Sequence, residues 1–126
     1  MINSRSLLDL NDDFRSLVGL WLQDCADAGL DILIVSTYRD NEYQDYLYSL
    51  GRTKKGRIVT NARAGESEHN KRKALDFCIM HGHVCAWNDK AGFMQAGLLA
   101  ESRGLVWAGR WNGKLRETGH IQHKSK

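Results

Sequence analysis

Ser67-Glu68-His69-Asn70-Lys71-Arg72-Lys73-Ala74-Leu75-Asp76-Phe77 changes character halfway along, from a charged polar half to an alternating apolar one. From Lys73 to Ile79 the alternation predicts a strand, with Leu75, Phe77 and Ile79 toward a core and Ala74, Asp76 and Cys78 on the other face. An aspartate in such a strand is costly unless it is paired, hydrogen-bonded or bound to a metal. His69 lies seven residues before Asp76, an odd separation, so the two share a site only if His69 sits in a loop and the chain bends before the strand. Glu117-Thr118-Gly119-His120 adds a second imidazole and a carboxylate three residues ahead of it. Two His and one Asp leave the fourth position of a tetrahedral zinc open, as a catalytic rather than a structural site requires. Glu117 then supplies a base beside it. A surface histidine and an Asp76 paired with Lys73 are the competing readings at this stage.

Outward from that stretch, Leu7, Leu10, Phe14, Leu17, Val18, Trp21, Leu22 and Cys25 recur at helical spacing, which predicts an amphipathic helix ending near Gly29. Asp31 to Tyr38 reads as a buried strand. Asp40 is placed to cap a second helix through Leu50, with Tyr43, Leu47 and Leu50 on one face and Gly51 at its end. Arg52 to Glu68 is a long basic loop, and such loops inside compact domains are usually functional. His81-Gly82-His83 is the expected turn of a hairpin whose second strand runs to Trp87. Asp89 caps a third helix to Arg103 and Gly104, and Leu105–Trp107 and Gly119–Gln122 are short strands. The order predicts an α+β domain over residues 1–126, with an antiparallel sheet, helices packed on one side and the site on the other.

The chain has 126 residues, 42% hydrophobic and 26% charged, with no proline and a formal net charge of +3. That length suits one domain with a genuine core. No apolar run approaches a membrane span, and Met1 to Leu10 lacks a signal-peptide core. The expectation is synthesis in the cytoplasm and no membrane insertion. Three cysteines, Cys25, Cys78 and Cys85, cannot all pair within the chain, which fits a reducing compartment. Cys78 and Cys85 are read as plain hairpin residues, ahead of a disulfide across the hairpin and of a structural zinc. His123, three after His120, is assigned to the opposite face, at the surface or a substrate rim. Trp107 is read as core. Trp111 is divided evenly between core and cleft wall. Lys54, Lys55, Arg57 and Arg63 are read first as a solvated loop and second as a cradle for substrate carboxylates.

Tyr38-Arg39, Gln44, Leu47-Tyr48, Gly51-Arg52-Thr53, Gly56 to Ala62, Ser67-x-His69-Asn70 and Ala74-x-Asp76-Phe77 together resemble the M15 zinc peptidases. That group comprises the D-Ala-D-Ala carboxypeptidases and L-Ala-D-Glu endopeptidases and includes phage endolysins. The resemblance continues through Trp87, Gly104, Leu105, Trp107, Trp111 and Glu117-x-x-His120, and the wording of the basic loop is most similar to the endopeptidase branch. It implies a Hedgehog/D-Ala-D-Ala peptidase-like fold and a Zn2+ held by His69, Asp76 and His120. It also implies Glu117 as catalytic base, Arg39 steadying substrate or the developing oxyanion, and Ser67 beside the site. Arg72 departs from the family, which usually has glycine there. The bend after His69 must then be made without glycine, and the added charge is expected to meet substrate carboxylates, as Trp111 is expected to meet substrate.

These features lead to an expected zinc-dependent hydrolase of peptidoglycan stem peptides, acting as a monomeric endolysin released to the wall through a holin. A D,D- or L,D-carboxypeptidase or dipeptidase is the alternative within the family. A metal-dependent nuclease is disfavoured because the second histidine lies far along the chain beside Glu117, so no nucleic-acid partner is expected. A non-catalytic wall-binding module is disfavoured because a binder has no need of Glu117.

Overall fold

The computed structural model describes residues 1–124. Its elements are α1 (Asp12–Asp27), β1 (Ile32–Ser36), α2 (Asn41–Ser49), β2 (Ala74–His81), β3 (Val84–Cys85), α3 (Lys90–Ser102), β4 (Val106–Trp107) and β5 (His120–Gln122), with short 3-10 turns between some of them. The sheet runs β1-β2-β5-β4, every pair antiparallel, and β3 forms a hairpin with β2.

The expected first helix is divided. Leu7–Asp9 forms a 3-10 turn capped by Ser6, and α1 starts afresh after Asn11. The Asn11 side chain accepts from the backbone N–H of Asp13 and Phe14 at 3.1 and 3.4 Å, so it satisfies two donors that would otherwise be orphaned at a helix start. Phe14, Val18, Trp21 and Cys25 then form the buried stripe. The Trp21 indole N–H donates to the Ala96 carbonyl at 2.9 Å, tying α1 to α3. Burial pushes the Cys25 thiol up to about 12, so it is an inert core residue.

Asp89 caps α3 through the Gly92 N–H at 3.0 Å. Gly97 lies under the Trp107 ring, where a Cβ would come within 2.1 Å, so glycine is needed for that helix to reach β4. Leu75, Phe77, Ile79 and Ile121 from the sheet meet Phe14, Trp21, Phe93 and Ala100 in one core. Burying each large apolar side chain there contributes about 1.5–3 kcal/mol relative to exposure.

Three expectations are corrected. β1 is an edge strand with Leu33 38% exposed, because only Ile32, Ile34 and Val35 reach the core cluster. Cys78 and Cys85 pair as a disulfide across the hairpin instead of standing as free thiols. The turn at Gly82 (φ 64°) folds β3 back so that Cys85 pairs in register with Met80, bringing the two Cα atoms to 5.8 Å, a separation a disulfide spans. His123 does lie off the site, yet not on a substrate rim: its ring meets the buried Phe14 edge-on at 6.2 Å, and its N–H donates to the Lys73 carbonyl.

Two of the helices, α1 and α3, cover one face of the sheet. The third, α2, buries only Gln44 and stands as a wall of the cleft on the other face. Gln44 donates to the Ala62 carbonyl at 2.8 Å, and the Arg52 guanidinium donates to the carbonyls of Tyr48 and Thr60 at 2.6 and 3.0 Å. The basic loop is thereby fastened to α2.

Candidate metal centre

β2 and β5 bring Asp76 directly opposite His120 in register. Gly119 makes that pairing possible, since a Cβ there would sit 2.6 Å from the Phe77 carbonyl oxygen. His69 approaches from the loop, and the chain returns to β2 through Arg72 at φ 64°, a left-handed conformation that glycine adopts far more readily. One ligand atom from each of His69, Asp76 and His120 lies within 4.8 Å of the others. The sequence-predicted triad is therefore assembled, with both imidazoles buried.

The hydrogen bonds around the triad decide which nitrogens face inward. His69 Nδ1 lies 2.7 Å from the Thr37 carbonyl oxygen, which can only accept, so Nδ1 carries the proton and Nε2 presents a lone pair. That lone pair is 3.3 Å from Asp76 Oδ1. His120 Nε2 lies 2.9 Å from Gln122 Oε1, and its Nδ1 is 3.0 Å from the same Asp76 oxygen. Two imidazole lone pairs converging on a carboxylate oxygen call for a cation or a proton between them. The residues fit a zinc ion: two nitrogens and one oxygen, each imidazole oriented by an outer acceptor.

The electrostatics agree. Burial pushes the Asp76 carboxyl up, but hydrogen bonds and charge from His120 and His69 outweigh it and hold it well below the usual carboxylate range. Burial lowers the His120 imidazole, and Asp76 more than restores it, leaving it above its ordinary value. Arg39 Nη2 donates to Asp76 Oδ2 at 2.7 Å. The second carboxylate oxygen is thus already engaged, and Oδ1 is the one turned to the histidines.

Glu117 stands beside the triad with its carboxylate 3.7 Å from His120 Nδ1 and its side chain 53% exposed. Ser67 lines the same cleft and accepts from the His69 backbone N–H at 3.2 Å. Trp111 lines it too, its ring 5.7 Å from that of His120. Trp107 is core, with its indole N–H on the Thr118 carbonyl at 2.8 Å. The cleft is about 1010 Å³. Arg72 is a correction: its guanidinium stacks 3.9 Å above Tyr38 and donates to the Asp9 carbonyl at 3.0 Å, away from the cleft. The left-handed backbone at Arg72 turns its side chain toward the segment before α1. Lys54, Lys55, Arg57 and Arg63 also stand outside the cleft lining.

Sequence reasoning missed the Thr37 carbonyl and Gln122. Gln122 was within reach of it, since two residues after His120 on a strand is the same face. No residue pattern marks a backbone carbonyl such as that of Thr37.

The same fold occurs in the Serratia marcescens L-Ala D-Glu endopeptidase ChiX, at a TM-score of 0.71 and 18% identity over 98% of this chain and 89% of that one. It also occurs in the Zn(II) complex of the vancomycin resistance D,D-pentapeptidase VanY from the VanB-type cassette. That match has a TM-score of 0.68 and 14% identity over 92% of this chain and 73% of that one. The architecture is thus one shared with peptidases. Residues 9–101 match the family model described as VanY, D-alanyl-D-alanine carboxypeptidase, and the chain belongs to that family. A relative in Bacillus subtilis (strain 168), the peptidoglycan L-alanyl-D-glutamate endopeptidase CwlK, is 36% identical over 107 residues, 77% of this chain. The chain spans 63% of that relative's length. The resemblance to the M15 peptidases is borne out.

Proposed function

We propose that the protein is a zinc-dependent peptidoglycan peptidase that cleaves the L-Ala-D-Glu bond of stem peptides. The observation that carries this reading is the convergence of His69, Asp76 and His120 on one point with Glu117 alongside. The similarity to CwlK and the fold shared with ChiX support the choice of bond. His69, Asp76 and His120 would hold the zinc, which supplies Lewis-acid polarisation of a carbonyl and acidification of water.

The chain's own groups do the rest. Glu117, accessible at the cleft and paired with no Lys or Arg among the described residues, takes the proton of the attacking water and hands it to the departing amine. Arg39 holds Asp76 in place, and its further N–H donors are assigned to the developing oxyanion, a role worth roughly 3 kcal/mol per donor. Ser67 and Trp111 line the path of the peptide. No helix among the described residues is long and apolar enough to cross a membrane. A phage-type endolysin role, as a monomer reaching the wall through a holin, is part of the proposal and rests on the resemblance to the M15 group, which includes phage endolysins.

Incubation of the protein with peptidoglycan sacculi, with zinc or with a chelator, followed by mass spectrometry of new termini, tests the proposal. New C-terminal L-Ala and N-terminal D-Glu, lost with chelator, are expected. Release of terminal D-Ala instead would place the protein with the carboxypeptidases.

A further inference from the structure

The walls of the cleft are chemically uneven. Its lining includes exposed apolar side chains, Ile58 and Val59 of the loop at 58% and 53% and Leu115 at 57%. Among the lining residues the carboxylates are Glu68, Asp76 and Glu117, and the cations are Arg39 and Lys114. Arg39 engages Asp76 through Nη2, and its other N–H groups are the ones assigned above to the oxyanion. Lys114 is exposed and has no carboxylate partner among the described residues. It sits in the 3-10 turn Gly113–Leu115, between Trp111, whose ring is near His120, and Glu117. Glu68 is likewise paired, with Lys71, so a carboxylate-bearing ligand in this cleft would find in Lys114 a cation that no carboxylate of the described residues already holds.

We propose that Lys114 is a specificity-determining residue that binds the free α-carboxylate of the D-Glu residue next to the scissile bond. This rests on the L-Ala-D-Glu reading above. In a stem peptide D-Glu continues through its γ-carboxyl, so the α-carboxyl stays free next to the cleaved amide, and in some walls it is amidated. Lys114 lies three residues before the proposed base, and the two residues line the same cleft. A mobile lysine offers a point charge rather than a fixed fork, which suits a group at a half-open rim. The basic loop residues expected from sequence to serve this purpose lie outside the lining.

The test compares two otherwise identical peptides, one with a free D-Glu α-carboxylate and one with the carboxamide. For the zinc-loaded wild type, kcat/KM should favour the free acid by about ten-fold, a ratio that salt reduces. In Lys114→Gln the ratio should fall to about one, Lys114→Arg should retain it, and Lys54→Gln, outside the cleft, should leave it as in wild type. The same pattern should appear in Kd for the two peptides bound to Glu117→Gln protein. A ratio unchanged by Lys114→Gln, or absent from the wild type, overturns the assignment while leaving the endopeptidase standing. Failure to cleave either peptide overturns both.

Discussion

Arg39 and Asp76 are joined by a 2.7 Å hydrogen bond between Nη2 and Oδ2, and the guanidinium thereby fixes which carboxylate oxygen is presented to His69 and His120. With side chains only 15% and 22% exposed, neither partner can be removed without stranding the other. Asp76→Asn should therefore abolish zinc binding and also destabilise the metal-free protein by roughly 2–3 kcal/mol. Zinc titration and chemical denaturation check the two effects separately.

The Glu117 backbone N–H donates to the Ala108 carbonyl at 3.2 Å, but its carboxylate makes no hydrogen bond among the described residues. Glu117→Gln should lower kcat by about 10²–10⁴-fold, with zinc stoichiometry and melting temperature close to wild type. Loss of zinc in this variant would show that Glu117 is a ligand rather than a base.

Gln122 accepts from His120 Nε2 and keeps Nδ1 toward the triad. Gln122→Leu should weaken zinc affinity about 10- to 100-fold with secondary structure unchanged. Competition against a chromophoric chelator measures it.

Arg72 is the only non-glycine residue with positive φ among the described residues. Arg72→Gly should relieve roughly 1 kcal/mol of backbone cost, against loss of its stack on Tyr38 and its contact with Asp9. The net change in stability should stay within about 1 kcal/mol, and kcat/KM should hold. A large rise in KM would return Arg72 to the substrate.

Asp89 is held below the ordinary carboxylate range, first by the Gly92 N–H it caps and then by His81. A depressed folded-state value means that its contribution is complete above the unfolded carboxylate value, near 3.9, and is lost as pH falls through the folded one. Asp89→Asn keeps the cap without the titration. Its melting temperature should fall less steeply than the wild type's between about pH 5 and pH 2.

The sequence made the helix caps legible because they rest on single side chains: Asp40 and Asp89 start α2 and α3 as their chemistry dictates. The triad was legible because an Asp in an apolar strand demands a partner. What was hidden depended on the third dimension. The orientation of Arg72 follows from a left-handed backbone that an arginine rarely adopts. The Cys78–Cys85 pairing depends on a hairpin register that a two-residue strand barely announces. The position of α2 on the far side of the sheet was equally unreadable, since its apolar residues Tyr43, Leu47 and Leu50 look the same whether they face a core or a cleft.

The fastening of the basic loop to α2 has a consequence for descent. Asp76 and His120 sit on paired strands at the centre of the sheet, where drift is punished by the core behind them. Ile58 and Val59 ride on an irregular loop anchored by a few carbonyls and Gln44, and Lys114 and Leu115 on a short 3-10 turn. Substitutions in these rims leave the paired strands untouched, so under the proposed function what enters the cleft could be retuned without disturbing the metal-holding residues.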